Sequence, residues 1–272
     1  MPLLPRTCTL AVCLVLGFRS ASAQGDTVRV INAAPASWFV QVNGFYSQAD
    51  NGFGVWRGLD VRLLHAGKRL SPFLNAGSQT RQGGTQTALG VGSYVTITPK
   101  IFAIVGAGVA PDNGVVFFPK LRTDAAIFVA VPGLKGVLAS VGVTDLRYTD
   151  SRTGGQIWSL GSMVYRGRGI YSAGIFHNTD RASGDQSSSW QAGGQWGAQG
   201  RYWIGLGASA GTEAYRVLTA TPFDARFRSQ SAQVFASKWV TKNSGVGLRY
   251  DFENKIDVYH RHAFVLTYFV AF

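Results

Sequence analysis

The sequence predicts an all-β transmembrane protein: a closed, antiparallel, up-and-down β-barrel of about 14 strands, with short periplasmic turns and longer extracellular loops. Three observations carry that expectation. From Trp38 onward apolar and other residues alternate with period two, in segments separated by turn chemistry and without an amphipathic helix. The last stretch, His262 to Phe272, reads H-A-F-V-L-T-Y-F-V-A-F and puts Phe264, Leu266, Tyr268, Val270 and Phe272 in one row, ending on an aromatic residue. Beyond residue 23 no run approaches the ~18–20 apolar residues of a membrane helix, so a membrane span here requires a closed barrel that pairs every backbone polar group.

At the N-terminus, Arg6 is the only charge ahead of the apolar run Leu10 to Leu16, and Ala21-Ser22-Ala23 follows as a small-x-small cleavage site. This is the pattern of a secretory signal over residues 1–23, cleaved near Ala23. The expected organisation is a signal peptide (1–23), a short periplasmic segment (24–37) and the barrel (38–272), located in the outer membrane. Cys8 and Cys13 both fall in the signal, leaving the mature chain without a thiol, disulfide or cysteine metal site. The net charge of +12 drops to +10 once Arg6 and Arg19 are removed. Lys and Arg are scattered in ones and twos, which argues against a nucleic-acid partner and for basic turns and a basic pore wall.

Two kinds of connection alternate along the barrel region. The first is short and often basic: 66–69, 98–100, 132–136, 166–169, 198–201 and 241–245. From Gly67 through Pro99, Gly133 and Gly167 to Gln199 the steps are 32, 34, 34 and 32 residues, the length of two strands and a loop. Between them lie connections longer or richer in Asp, Asn and Ser: 48–53, 81–84, 111–114, 149–154, 179–188, 212–224 and 253–257. Seven outer loops and six inner turns give 14 strands, and misreading one hairpin, around Pro111 or Asn254, gives 12.

Parity assigns the faces. Leu89, Val91, Val95 and Ile97 form one outward row, and Ile101, Val105 and Val109 another, with glycines at 90, 92, 106 and 108 inward. Ala125, Ile127, Val129 and Val131 face out with Arg122 and Asp124 inside; Tyr202, Ile204 and Leu206 face out against Gly205 and Gly207. No second apolar row is evident to build a soluble core, which favours lipid outside. Trp38, Tyr171, Trp196, Tyr202 and Trp239 fall toward the short-turn side as an interfacial girdle. Asp145 and Arg147 continue the outward parity of Val137 to Val143, so either the strand leaves the membrane there or a bulge rotates it.

Phe118-Pro119-Lys120-x-Arg122, the strand ending Asp145-Leu146-Arg147-Tyr148-Thr149-Asp150, the Tyr165-Arg166-Gly167 turn, Gly211-Thr212-Glu213, Lys238-Trp239 and Gly247-Leu248-Arg249-Tyr250 occur in that order. In this the chain resembles the YaiO-type outer-membrane β-barrel family over most of its mature length. Many members carry helical-hairpin repeats before the barrel, which residues 24–37 do not provide. The resemblance implies an outer-membrane barrel of poorly defined role, in some members encoded beside polysaccharide-synthesis genes.

For catalysis, His177 with Asn178 and Asp180, followed by Ser187 to Ser189, is the nearest arrangement to a hydrolase triad, but no nucleophile motif frames those serines. His260 and His262 share a strand face without a third ligand. No catalytic residue, metal or cofactor is assigned, and the protein is expected not to be an enzyme; a barrel enzyme acting on lipid or polysaccharide is the least favoured alternative. Parity places Asp60, Arg62, Arg81, Arg122, Asp124, Arg226, Arg228, Lys238, Arg249, Asp251, Glu253 and Arg261 in the lumen, eight basic and four acidic. Such an excess attracts anions, although Asp60 with Arg62, Arg122 with Asp124 and Arg249 with Asp251 are placed to pair and brace a closed lumen. The inward glycines leave space that is either an open path or filled by neighbours such as Tyr94 and Trp203.

The expected function is a pore or export-associated barrel for polar or anionic solutes or polysaccharide, with a closed envelope-assembly barrel as the alternative. Expected partners are outer-membrane lipid, the barrel-insertion machinery that reads Phe264 to Phe272, and polysaccharide or its synthesis and export proteins.

Overall fold

Alternation over 9–15 residues at a time gives fourteen strands in the computed structural model, which describes residues 38–112, 114, 118–149, 154–198, 200–213 and 227–272. They are β1 (Trp38–Ala49), β2 (Gly54–His65), β3 (Leu70–Arg81), β4 (Gly84–Thr98), β5 (Ile101–Val109), β6 (Leu121–Ala130), β7 (Val137–Arg147), β8 (Gly154–Arg166), β9 (Gly169–Asp180), β10 (Gln186–Ala198), β11 (Tyr202–Glu213), β12 (Phe227–Trp239), β13 (Ser244–Lys255) and β14 (Tyr259–Ala271). Residues 1–23, expected to be a signal, the 24–37 segment, Phe117 and Arg226 lie outside the described residues.

Each strand pairs with its sequence neighbours, and β14 returns to β1, closing an antiparallel barrel of 14 strands and not 12. Following the registers around the ring returns to β1 displaced by as many residues as there are strands. That shear corresponds to the ~35–45° strand tilt of membrane barrels. Among the described residues the one irregularity in register is a bulge between Thr96 and Thr98. Connection length distinguishes the two ends only on average, because residues 82–83 make a two-residue hairpin at the long-loop end and 131–136 a six-residue turn at the other.

The seam sits where the terminal row of aromatics predicts. Phe39 to Ala49 pair with Ala271 to Arg261, and the Trp38 and Phe272 backbones exchange two hydrogen bonds of 3.0 Å. Inside the seam Thr267 Oγ1 donates to Asn43 Oδ1 at 2.8 Å, and Gln41 Nε2 to the same oxygen at 3.0 Å. At the outer end Asn51 and Gly52 turn the β1–β2 hairpin with φ of 51° and 81°, and Asn51 Nδ2 donates to the Val258 carbonyl. Asp50 accepts from the His260 backbone N–H (2.6 Å) and lies 3.0 Å from His260 Nδ1. The backbone hydrogen bond, and then the imidazole, hold the Asp50 carboxyl below its ordinary value. The pin is therefore present above the unfolded carboxyl pKa and fades as pH falls through the lowered one.

The outward face is the lipid face. Leu89, Leu160, Leu206, Leu266 and Val234 are each more than half exposed, far beyond what scattered surface apolars give in a soluble domain. Trp38, Tyr171 and Trp196 project outward near the short turns, and Tyr46, Trp158 and Trp190 near the long loops, making two girdles. Trp239 is a correction: it points inward, 7% exposed, edge-on to Phe269 at 4.9 Å. Asp145 and Arg147 keep the outward parity with no bulge in β7, so the strand has risen past the apolar belt by Asp145.

Inward glycines accommodate rings from neighbouring strands. A Cβ on Gly92 would sit 2.3 Å from Phe73 Cζ and 2.6 Å from the Val105 carbonyl oxygen. We expect Gly92→Ala to destabilise the barrel by about 1–3 kcal/mol, as overpacking does. The temperature at which the folded band converts to the unfolded band in heat-modifiability gels should fall.

Candidate functional site: the barrel lumen

Fourteen strands lie between the eight that side chains can fill and the sixteen or more that leave a channel, so the inward residues decide whether this lumen is open. They fall into two layers. In the short-turn half, one continuous apolar cluster takes residues from twelve of the fourteen strands. Phe102 stacks on Phe128 at 5.4 Å and 8°, and Phe73 meets Tyr94 at 5.2 Å. Leu64 and Phe128 are 1% and 2% exposed, too little for residues that border a water-filled bore. The expectation that no second apolar row exists is thus overturned: an inward one runs mainly through the short-turn half, with Phe176 reaching higher on β9, and Gly and Ser interrupt its periodicity in sequence. Of the two alternatives at the inward glycines, filling by neighbours holds at Gly92, covered by Phe73, and at Gly205, covered by Phe235.

Arg62 caps this layer. Its guanidinium lies 4.5 Å from the Phe73 ring centre and donates to the Tyr94 hydroxyl. Asp60 shares its inward face one rung above.

The long-loop half is polar and ion-paired. Arg122 grips Asp124 through two hydrogen bonds of 2.8 Å, and Thr144 Oγ1 donates to the same carboxylate at 2.6 Å. Arg249 Nε lies 2.9 Å from an Asp251 oxygen. Arg261 binds Glu253 at 2.8 Å, with Lys255 Nζ 3.7 Å from that carboxylate. Between them Trp56 is flanked by guanidiniums, Arg81 at 4.1 Å and Arg261 at 5.2 Å from its ring, with Tyr259 edge-on at 5.6 Å. Its indole N–H donates to the Phe53 carbonyl at 3.0 Å.

Two residues placed in the lumen by parity are not there. Arg228 and Lys238 are exposed on the outward face of β12, whose inward row is Ser229, Ser231, Gln233, Phe235, Ser237 and Trp239. Both sit at strand ends, where long cationic side chains reach from the lipid face to the interface. Conversely, Asp180 and Lys255 face inward, because β9 and β13 run further into the apparent loops than composition suggests. Asp180 accepts from the Ala182 and Ser183 amides at 2.9 Å. Among described strand side chains the inward charges become Arg62, Arg81, Arg122, Arg249, Lys255 and Arg261 against Asp60, Asp124, Asp180, Asp251 and Glu253: six to five instead of eight to four.

His177 Nδ1 lies 3.3 Å from Ser188 Oγ on the outward face, but Asn178 and Asp180 point into the lumen, so neither can orient that imidazole. His260 and His262 also face outward, against Asp50 and the Tyr250 hydroxyl (2.6 Å). Among the described residues no three His, Cys, Asp or Glu side chains converge as metal ligands. Among the described residues no helix is long and apolar enough to cross a membrane.

A family model described as the YaiO membrane β-barrel domain matches residues 38–216, two-thirds of the chain. The chain belongs to the YaiO family. Among solved structures, this YaiO barrel is similar to a bacterial polysaccharide outer membrane secretin, at 10% identity and a TM-score of 0.58, covering 87% of this chain and 99% of that one. It also matches the anion-selective porin from Comamonas acidovorans (9% identity, 86% and 98% covered, TM-score 0.48) and OccK3 from Pseudomonas aeruginosa (10%, 86% and 95%, TM-score 0.47). At such identities the likeness shows the fold alone. No curated protein sequence matches the chain.

Proposed function

We propose that this outer-membrane barrel is closed at rest and serves as an envelope-assembly or export-associated component, not as a free-diffusion pore. The apolar layer across the short-turn half carries this reading, since an ion crossing it would shed its hydration among Phe39, Phe102, Phe128 and Phe269. The near balance of inward charge among the described strand side chains supports it too, because a standing anion preference needs an excess. Planar-bilayer recordings of the refolded protein are expected to show no steady conductance; a stable ohmic conductance in every insertion would overturn the reading.

A second reading, passage of polysaccharide when the lumen is widened, is favoured by one sector. Ser172, Gly174, Gln191, Gly193, Gly207 and Ser209 face inward from β9 to β11, a small and uncharged polar wall that suits hydroxyl-rich chains. The fold likeness to the polysaccharide secretin agrees with it without establishing it. Accumulation of a surface glycan inside the envelope of a deletion strain, restored by the intact gene, is the result this reading expects.

A further inference from the structure

The charges that rise out of the membrane on β7 belong to a graded strip on the outward wall. Reading from the belt toward the loops, register pairing gives a rung of Val141, Leu160, Ile175 and Trp190, then Val143, Trp158, His177 and Ser188, then Asp145, Gln156, Thr179 and Gln186. Arg147 follows on β7 and Arg181 just beyond β9. One carboxylate organises both: Arg147 Nε lies 2.8 Å from Asp145 Oδ1, and Arg181 Nη2 binds Oδ2. Two guanidiniums against one carboxylate leave a local charge of +1, and their side chains are 57% and 39% exposed, so donors of the five-donor forks face outward.

The strip is built in the order of a lipid's own chemistry. The first rung is apolar. The Trp190 indole ends that rung, and the next two offer the exposed Trp158, its Nε1 held by Gln156 Oε1 at 3.0 Å, beside the hydroxyl and imidazole of Ser188 and His177. The arginines come last, six residues from Val141, about 20 Å along the strand at ~3.3 Å per residue. A glycerophospholipid carries its phosphate next to its acyl chains and would meet the Trp158 rung, one rung short of the Asp145 carboxylate that holds the guanidiniums. A lipid with sugars between acyl chains and phosphate spans the gap.

We propose that this strip binds a phosphorylated glycolipid of the outer leaflet. Its acyl chains lie on Val141, Leu160 and Ile175, its sugar rings cross Trp158, Gln156 and Ser188, and a phosphate is gripped by Arg147 and Arg181. Asp145 acts as the residue that positions the two guanidiniums. The site lies outside the lumen and stands whether or not the barrel conducts.

The test is titration of the refolded chain in detergent micelles with a purified diphosphorylated disaccharide glycolipid, its dephosphorylated form, and phosphatidylglycerol, with complexes counted by native mass spectrometry. Wild type is expected to bind the phosphorylated glycolipid, and Arg147→Ala/Arg181→Ala at least about tenfold more weakly, the loss expected when charge-assisted bonds are removed. The dephosphorylated lipid should bind both proteins alike, and phosphatidylglycerol weakly and without discrimination. Undiminished binding by the double variant would overturn the proposal, as would equal affinity for phosphatidylglycerol. Should the double variant not refold, Arg181→Glu, a single change in a surface turn, gives the same readout.

Discussion

Asp124→Ala is expected to lower the barrel's unfolding free energy by about 3–5 kcal/mol, the cost of breaking a buried ion pair by removing its carboxylate. Arg122 and Asp124 have side chains only 10% and 6% exposed, and Arg122 has two of its donors on that carboxylate. Removing Asp124 takes away at once the acceptor of two Arg122 hydrogen bonds and of the Thr144 hydroxyl. The wild-type pair itself contributes less than this, because desolvating two charges offsets most of their attraction. The double change Arg122→Met/Asp124→Leu should therefore recover most of the loss. Urea unfolding in micelles, followed by tryptophan fluorescence, separates the cases: a single-variant loss below ~1 kcal/mol would show the pair to be hydrated.

The sequence made this pair visible because lipid and lumen impose opposite chemistries on alternate residues. Where a strand carries large aliphatics on one parity, as β6 does at Ala125, Ile127 and Val129, the charges on the other parity can face only the lumen. The seam was legible for the same reason, Phe264 to Phe272 forming an unbroken outward row. β12 defeats this logic. Its two parities carry Arg228, Ala232, Val234, Ala236 and Lys238 against Ser229, Gln233, Phe235 and Trp239, and charge alone selects the wrong row. Cationic ends that reach the interface resemble lumen charges when only composition is visible. Asp180 and Lys255 were hidden differently, in strand ends that read as loop. The filling of the glycines was beyond local reading, since Phe73 covers Gly92 through a pairing of separate strands.

The largest functional effect is expected from Phe102→Ala/Phe128→Ala. The two rings stack on each other in the apolar layer, and each is almost fully buried. Truncating both removes apolar bulk from one side of the lumen, below Gly106, where a Cβ would meet nothing nearer than the Val91 carbonyl oxygen at 3.4 Å and Phe73 Cζ at 3.8 Å. Each deletion costs on the order of 3–5 kcal/mol if the cavity stays empty. A membrane barrel has another option, because a void connected to the polar half above can fill with water. The double variant should then be less stable than wild type but conduct in discrete steps where wild type is silent. Trp203→Ala, across the same layer and 9% exposed in the native barrel, should add to that conductance. If neither variant conducts, the barrier to ions lies in the ion-paired half instead. Conductance appearing only after Arg261→Ala or Glu253→Ala would then move the closure to the Trp56 cluster.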